Sequence, residues 1–483
     1  MKYSATLVAL AAVTTPLASA LTLAPRSSSP RVIGLPIQRR NVPDVLVNHR
    51  SRLRRRAGTV SQTLDNEESL YYANLTLGTP AQPLRLHIDT GSSDLWVNTA
   101  NSTFCEAKDD NCEGGTYSIS SSSTYKYVNS EFNISYVDGT SAVGDYVTDT
   151  LGFGGETLDN FQFGIGESST SSQGVLGIGY ASEEVAVNRA GLQPYSNLPV
   201  ALVDAGLIAS NAYSLWLNDL DSSEGQILFG GVDTAKYSGD LATVPIIEIY
   251  GGYYELLIAL TSVAIPDQNL SSSSSLPAAV LLDSGSTLTY LPNDITETIF
   301  TKLGAVYESN LGAAYVECSK NSDSLTIDFD FSGQTISVPY DELFLDAGTN
   351  SQGQPLTFDN GETACLFGIA PADDSTAVLG DTFLRSAYVV YDLANNAISL
   401  AQTVFNATSN DIQEISKGTN GVPGATAVSN PVTTVAAGSD GARLGGSTAT
   451  VTGSINAASM GKNVPPVSLL GAIVAIAVAV FAG

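Results

Sequence analysis

Residues 86–97 read LHIDTGSSDLWV and residues 280–291 read VLLDSGSTLTYL. Each stretch has a mainly apolar approach, then an aspartate, a hydroxyl residue, a glycine and another hydroxyl residue. The aspartates, Asp89 and Asp283, lie 194 residues apart, roughly the length of a domain. One such motif is a weak signal; two, each behind a predicted strand, are an internal repeat of a site. An apolar strand delivers a carboxyl to a partly buried loop. Gly91 and Gly285 permit the tight turn that follows. Ser92 and Ser286 can donate to the carboxylates, and Thr90 and Ser284 can lock the loops to each other. If the loops face each other, two carboxyls share one site. Like charges at that separation do not both ionise easily, so one stays protonated and the pair titrates as a unit. Such a pair suits hydrolysis with no metal and no covalent nucleophile: the ionised member takes a proton from a water, and the protonated member polarises a peptide carbonyl.

From 66 to 405 the texture is short alternating runs broken by Gly, Asn, Asp and Ser. Leu84–Ile88, Leu325–Phe331 and Tyr388–Tyr391 are examples. This pattern predicts an all-β fold. Helices are few; the best starts at Asn293 or Asp294 and places Ile295, Ile299 and Leu303 on one face. The length of 483 residues allows two to four units, at about 150 residues each. The balance of 21 basic against 48 acidic residues, net −27, argues against a nucleic-acid partner. The two histidines, His49 and His87, exclude a His-rich zinc site, so neither metal nor cofactor is expected. His87 stands two residues before Asp89 on the same face of a strand. It either tunes the aspartate pair or is a strand histidine bonded elsewhere.

The ends read as processing signals. Residues 1–20 have a basic start at Lys2, an apolar run and small residues at Ala18 and Ala20, the pattern of a secretory signal peptide. Residues 21–56 hold nine arginines and a single acid, Asp44, and end in Arg54-Arg55-Arg56. This is expected to be a removable prosegment that inhibits the acidic body partly by charge; a disordered basic linker is the alternative. Residues 406–456 are rich in Ser, Thr, Gly and Ala and read as a stalk. Small residues at 456–458, a ten-residue spacer and an uncharged apolar tail form a GPI-anchor signal, with Asn456 the expected anchor site and 457–483 removed. The address is then the secretory pathway and the cell surface, at the plasma membrane and the wall. Four cysteines in a secreted chain allow three pairings; closure of local loops favours Cys105–Cys112 and Cys318–Cys365. Sequons lie at Asn74, Asn101, Asn133, Asn269 and Asn406, with Asn133 in a predicted strand.

With both D-[TS]-G motifs and these ends in place, the chain resembles the pepsin-family aspartic proteases, and most of all the fungal GPI-anchored yapsin-type enzymes. The resemblance covers about 66–405. Ile134 to Thr140 resembles the family's flap hairpin, with Tyr136 as the flap tyrosine and Asp138-Gly139 as its turn. Val175 to Gly179 and Val378 to Asp381 resemble the motifs that thread behind each aspartate loop, and Trp96 the tryptophan near the flap. The resemblance implies a bilobal fold of two β-barrel-like lobes with a cleft between them, at 57–250 and 251–405, with one aspartate from each lobe. It also implies the Cys318–Cys365 bridge and cleavage of proteins or peptides next to Lys or Arg; the acidic charge and the one proton the aspartate pair must hold predict an optimum at acidic pH. Asp109, Asp110 and Glu113 in the first cysteine loop are candidates for that preference; a broad apolar preference is the fallback. A monomer is expected. The alternative is a non-catalytic surface or wall glycoprotein on a protease scaffold.

Overall fold

A computed structural model describes residues 31–40, 70–106, 112, 114–136, 139–249, 251–271, 273–309, 311–322, 324–349, 353–373, 375–436 and 450–453. The signal peptide, the processing site at Arg56, Asp109, Asp110, Glu113, Asp138, Asn456 and the apolar tail lie outside the described residues.

Alternation builds the strands. In Thr326–Phe331 the side chains of Ile327, Phe329 and Phe331 are buried while Thr326, Asp328 and Asp330 are partly exposed. The strand pairs antiparallel with Gln334–Pro339 across Ser332-Gly333, where both residues take positive φ. The helix Asn293–Leu303 buries Ile295, Ile299 and Leu303 as its spacing predicts. Its cap is Pro292, one residue before the expected start, and it ends on Gly304 in the left-handed region at φ 62°.

The first lobe closes into a barrel. Leu70–Leu77, Gln82–Asp89, Val175–Gly177, Leu95–Asn98, Glu156–Ser169 and Ser141–Phe153 neighbour one another in that order, and Leu77 pairs back to Leu151. Closure removes the free edges that an open sheet would carry. The second lobe is built on Ala278–Leu282, Ala377–Leu379, Thr289–Leu291 and Ile369–Pro371. Two four-stranded sheets flank it, and a disulfide between Cys318 and Cys365 staples one of them; the other disulfide joins Cys105 to Cys112. A shared run of strands joins the lobes: Glu224–Phe229, Ala212–Trp216, Ala387–Asp392, Ala397–Thr403 and Tyr237–Pro245.

Two segments differ from their compositional reading. Ile33–Arg40, inside the basic segment, is an interior strand between Leu70–Leu77 and Glu224–Phe229. Ile33, Leu35 and Ile37 alternate and are buried, a period-2 signal outvoted by the arginines around it. This part of the segment is therefore no disordered linker. The stalk expected from 406 also starts too early. Ile412–Glu414 pairs with Gly231–Asp233, Ala425–Ala427 runs parallel to Tyr237–Pro245, and Thr434–Ala436 meets Ala278–Leu282. Ile415, Val422 and Val435 are buried. Sparse aliphatics in a Ser/Thr-rich run suffice to dock it on a preformed surface as far as 436, and Thr450–Gly453 then pairs with Thr434–Ala436 on one side and Ile247–Glu248 on the other.

Candidate active site

Asp89 ends the strand Gln82–Asp89, and Asp283 follows Ala278–Leu282. Each strand has a short parallel partner behind it. His87, Ile88 and Asp89 pair with Val175, Leu176 and Gly177, while Val280, Leu281 and Leu282 pair with Ala377, Val378 and Leu379. The partners extend into the loops: Ile178 N–H donates to the Asp89 carbonyl, and Asp283 N–H donates to the Leu379 carbonyl. These are the two apolar-apolar-Gly motifs, and they do brace the aspartate loops.

The loops meet across the lobes with near two-fold equivalence. Thr90 Oγ1 donates to the Leu282 carbonyl at 2.9 Å, and Ser284 Oγ donates to the Ile88 carbonyl at 2.9 Å. Thr90 Oγ1 also accepts from Ser284 N–H, and Ser284 Oγ from Thr90 N–H. Asp89 accepts Gly91 N–H at 2.8 Å and Ser92 Oγ–H at 2.5 Å; Asp283 accepts Gly285 N–H and Ser286 Oγ–H, both at 2.8 Å. Both carboxyls are almost buried. The glycines sit in the expected turns, neither with a positive φ, and they serve a second purpose as well. A Cβ on Gly91 would lie 2.5 Å from Asp283 Oδ1, and one on Gly285 2.4 Å from Asp89 Oδ1. Each glycine is the gap through which the opposite carboxyl reaches the centre.

Residues 70–403 match the family model described as eukaryotic aspartyl protease. The chain belongs to that family. Among similar proteins, the probable aspartic-type endopeptidase opsB of Aspergillus oryzae is 58% identical, covering 89% of this chain and 88% of that protein. Aspartic proteinase 3 of Saccharomyces cerevisiae is 34% identical over 77% of this chain and 76% of its own length. Candidapepsin-4 of Candida albicans is 40% identical over 73% of this chain and 81% of its own length. The chain is an aspartic-type endopeptidase, and the non-catalytic alternative is set aside.

The segment expected to form the flap is a hairpin, in which Lys126–Ser135 pairs with Ser141–Phe153. Tyr136 N–H donates to the Thr140 carbonyl and Gly139 N–H to the Tyr136 carbonyl; Gly139 takes φ 80°, a conformation that suits glycine. Trp96 Nε1–H donates to the Tyr136 hydroxyl at 2.8 Å. Burial, with the Asp89 charge nearby, holds the Tyr136 phenol well above its ordinary range, so it stays protonated. The five sequon asparagines Asn74, Asn101, Asn133, Asn269 and Asn406 are all exposed, including Asn133 on its strand.

Two buried polar clusters flank the site, and the sequence reading passed over both. In the first, Arg385 is fully buried and donates through Nε to the Glu342 carboxylate and through Nη2 to the Glu342 carbonyl. Asp381 lies in the field of Asp283 on one side and of Arg385 and Arg39 on the other. Among the described residues both its carboxyl oxygens lack a hydrogen-bond partner. Burial pushes Asp381 well above the carboxylate range, which keeps it neutral. In the second, Asp94 accepts from the Tyr146 and Tyr195 hydroxyls and from Val185 N–H, with Glu184 close by. Asp381 and Asp94 lie within the motifs quoted above, but no sequence period points to Glu342 or Glu184, which come from distant segments. No group of three or more potential metal ligands occurs among the described residues.

Proposed function

We propose that Asp89 and Asp283 form the catalytic dyad. The reciprocal packing of Gly91 on Asp283 and Gly285 on Asp89 carries this reading, because it draws the two carboxyls to one centre. The ionised member removes a proton from a water whose oxygen bonds to the peptide carbonyl carbon. The protonated member gives its proton to the carbonyl oxygen, and a neutral tetrahedral diol results. Proton transfer to the amide nitrogen then breaks the C–N bond and releases an amine and a carboxylic acid. Because the dyad must hold one proton, activity has an acidic optimum and falls toward neutral pH. In the mature chain, Asp89→Asn or Asp283→Asn should abolish peptide cleavage at acidic pH, and a statine-type analogue should block the parent. Retained cleavage in either variant would sink the dyad.

The enzyme is proposed to be secreted, processed after Arg56 and held at the cell surface by a lipid anchor added near Asn456. The pattern at the two ends supports this reading. In the precursor the segment 21–56 acts as inhibitor, a role supported by the strand Ile33–Arg40 being an interior member of the sheet. The segment added in trans should inhibit, and less so at high salt; salt-independent inhibition would remove the electrostatic part. A preference for Lys or Arg beside the cut rests on the acidic first cysteine loop. A peptide library that shows no enrichment of either would leave the broad apolar preference.

A further inference from the structure

His87 lies buried on the strand that delivers Asp89. Its ring packs beside Tyr72 at 5.9 Å between centroids, and Arg85 stands over the same tyrosine at 4.5 Å. On its other side the strand pairs His87 with Val175. The ring reaches across to the second lobe, where Nε2 is 3.2 Å from the Ser284 carbonyl oxygen. A carbonyl only accepts, so Nε2 carries the proton in this contact. The Ser284 carbonyl and the Gly285 N–H belong to one peptide unit, and that N–H donates to Asp283 Oδ1 at 2.8 Å. A donor placed on a peptide carbonyl polarises the unit and strengthens its N–H as a donor. The result is a continuous chain from the imidazole of one lobe to the carboxyl of the other. Its counterpart is missing: two residues before Asp283 stands Leu281, buried and without a donor.

We infer that His87 is a positioning residue that acts on Asp283 through the Ser284–Gly285 peptide, making Asp283 the dyad member that gives up its proton first. The inference rests on the dyad proposed above. Other groups facing Asp283 do not supply this bias. Asp381 and Tyr391 are buried and kept protonated, Arg385 and Arg39 stand behind Asp381, and Asp89 is the like-charged partner. Hydrogen bonds to the ionised form of a carboxyl favour that form. Without the relay, the first ionisation of the pair moves to higher pH.

The test compares His87→Leu and His87→Gln in the mature chain, reading kcat, KM and the pH profile of kcat/KM on one peptide. His87→Leu should raise the acid limb by about half a pH unit, roughly a threefold change in the ionisation constant, and lower kcat with KM unchanged. His87→Gln keeps an N–H at the same reach and does not titrate, so it should return the limb to the parent position. An unmoved limb in His87→Leu, or an equal shift in both variants, overturns the relay. If His87→Leu fails to fold, His87→Gln decides, and a shifted limb there overturns it. Asp283→Asn runs alongside. If it still cleaves, the dyad reading has failed; if it is inactive and the limb is unmoved, only the relay has.

Discussion

Replacing Glu184 by glutamine should flatten the pH dependence of stability. Glu184 is fully buried at the start of the short helix Val185–Asn188. Oε2 accepts Tyr195 N–H at 2.8 Å, and Oε1 has no hydrogen-bond partner among the described residues. Burial, reinforced by the Asp94 charge, lifts its carboxyl from 4.5 to about 9. Between those values the folded chain binds a proton that the unfolded chain does not. The contribution is therefore complete below pH 4.5 and is lost as pH rises, at about 1.4 kcal/mol per unit. By pH 7.5 about three units have been crossed, a loss of about 4 kcal/mol. Glu184→Gln stays neutral throughout. It should be less stable than the parent at pH 4.5 by about 1–2 kcal/mol, because an amide N–H is left unpaired, and more stable at pH 7.5. Urea unfolding at pH 4.5, 6 and 7.5 reads both. Parallel curves for parent and variant would refute the reasoning, since they would mean that Glu184 does not hold its proton in the folded chain.

Glu342→Gln should cost about 3–5 kcal/mol, because it leaves the buried Arg385 charge without its carboxylate; an unfolding midpoint equal to the parent's would contradict a charged pair. Loss of the Cys318–Cys365 bridge, which spans 47 residues, should cost about 4 kcal/mol, against about 2 for Cys105–Cys112, which spans 7. Denaturation of the two double-serine variants checks that order. A chain ending at 453 should melt like the parent, whereas one ending at 405 should lose on the order of 5 kcal/mol, because the burial of Ile415, Val422 and Val435 goes and the surface they cover is exposed. Equal melting of the two truncations would mean that the docked segment contributes nothing.

What was legible in the sequence was whatever repeats or alternates locally. The two D-[TS]-G loops, the motifs behind them, the hairpin around Tyr136 and the helix Asn293–Leu303 all carry their signal within about a dozen residues. The strand Ile33–Arg40 and the docked run 406–436 were hidden because their composition, Arg-rich in one and Ser/Thr-rich in the other, masks a few well-spaced aliphatics. The second role of Gly91 and Gly285 was hidden for a different reason. A turn is a local property, but the clash with the opposite aspartate is set by a partner some 190 residues away. The Arg385–Glu342 pair and the Asp94–Glu184 pair are likewise products of packing between distant segments, and no local period encodes them.

These buried groups bear on the chemistry. Asp94, Glu184, Asp381 and Asp392 all have carboxyls raised by burial, the last to about 6. A carboxyl that is neutral in the fold and ionised in the unfolded chain stabilises the fold only in acid. The same holds for the acidic surface, whose self-repulsion grows as pH rises. The proposed dyad too needs a proton that neutral solution withdraws. These four buried carboxyls, the surface and the proposed active centre therefore share one sign of pH dependence, although they share no residues, while the buried Asp149, held low by its hydrogen bonds, has the opposite sign. It follows that raising the working pH of this enzyme by changing the dyad's surroundings alone would meet a second limit. A variant with its activity profile displaced upward should unfold within its new range unless Glu184 or Asp392 is also neutralised, and neutralising them without touching the dyad should extend the survival of the enzyme at neutral pH while leaving its optimum in acid.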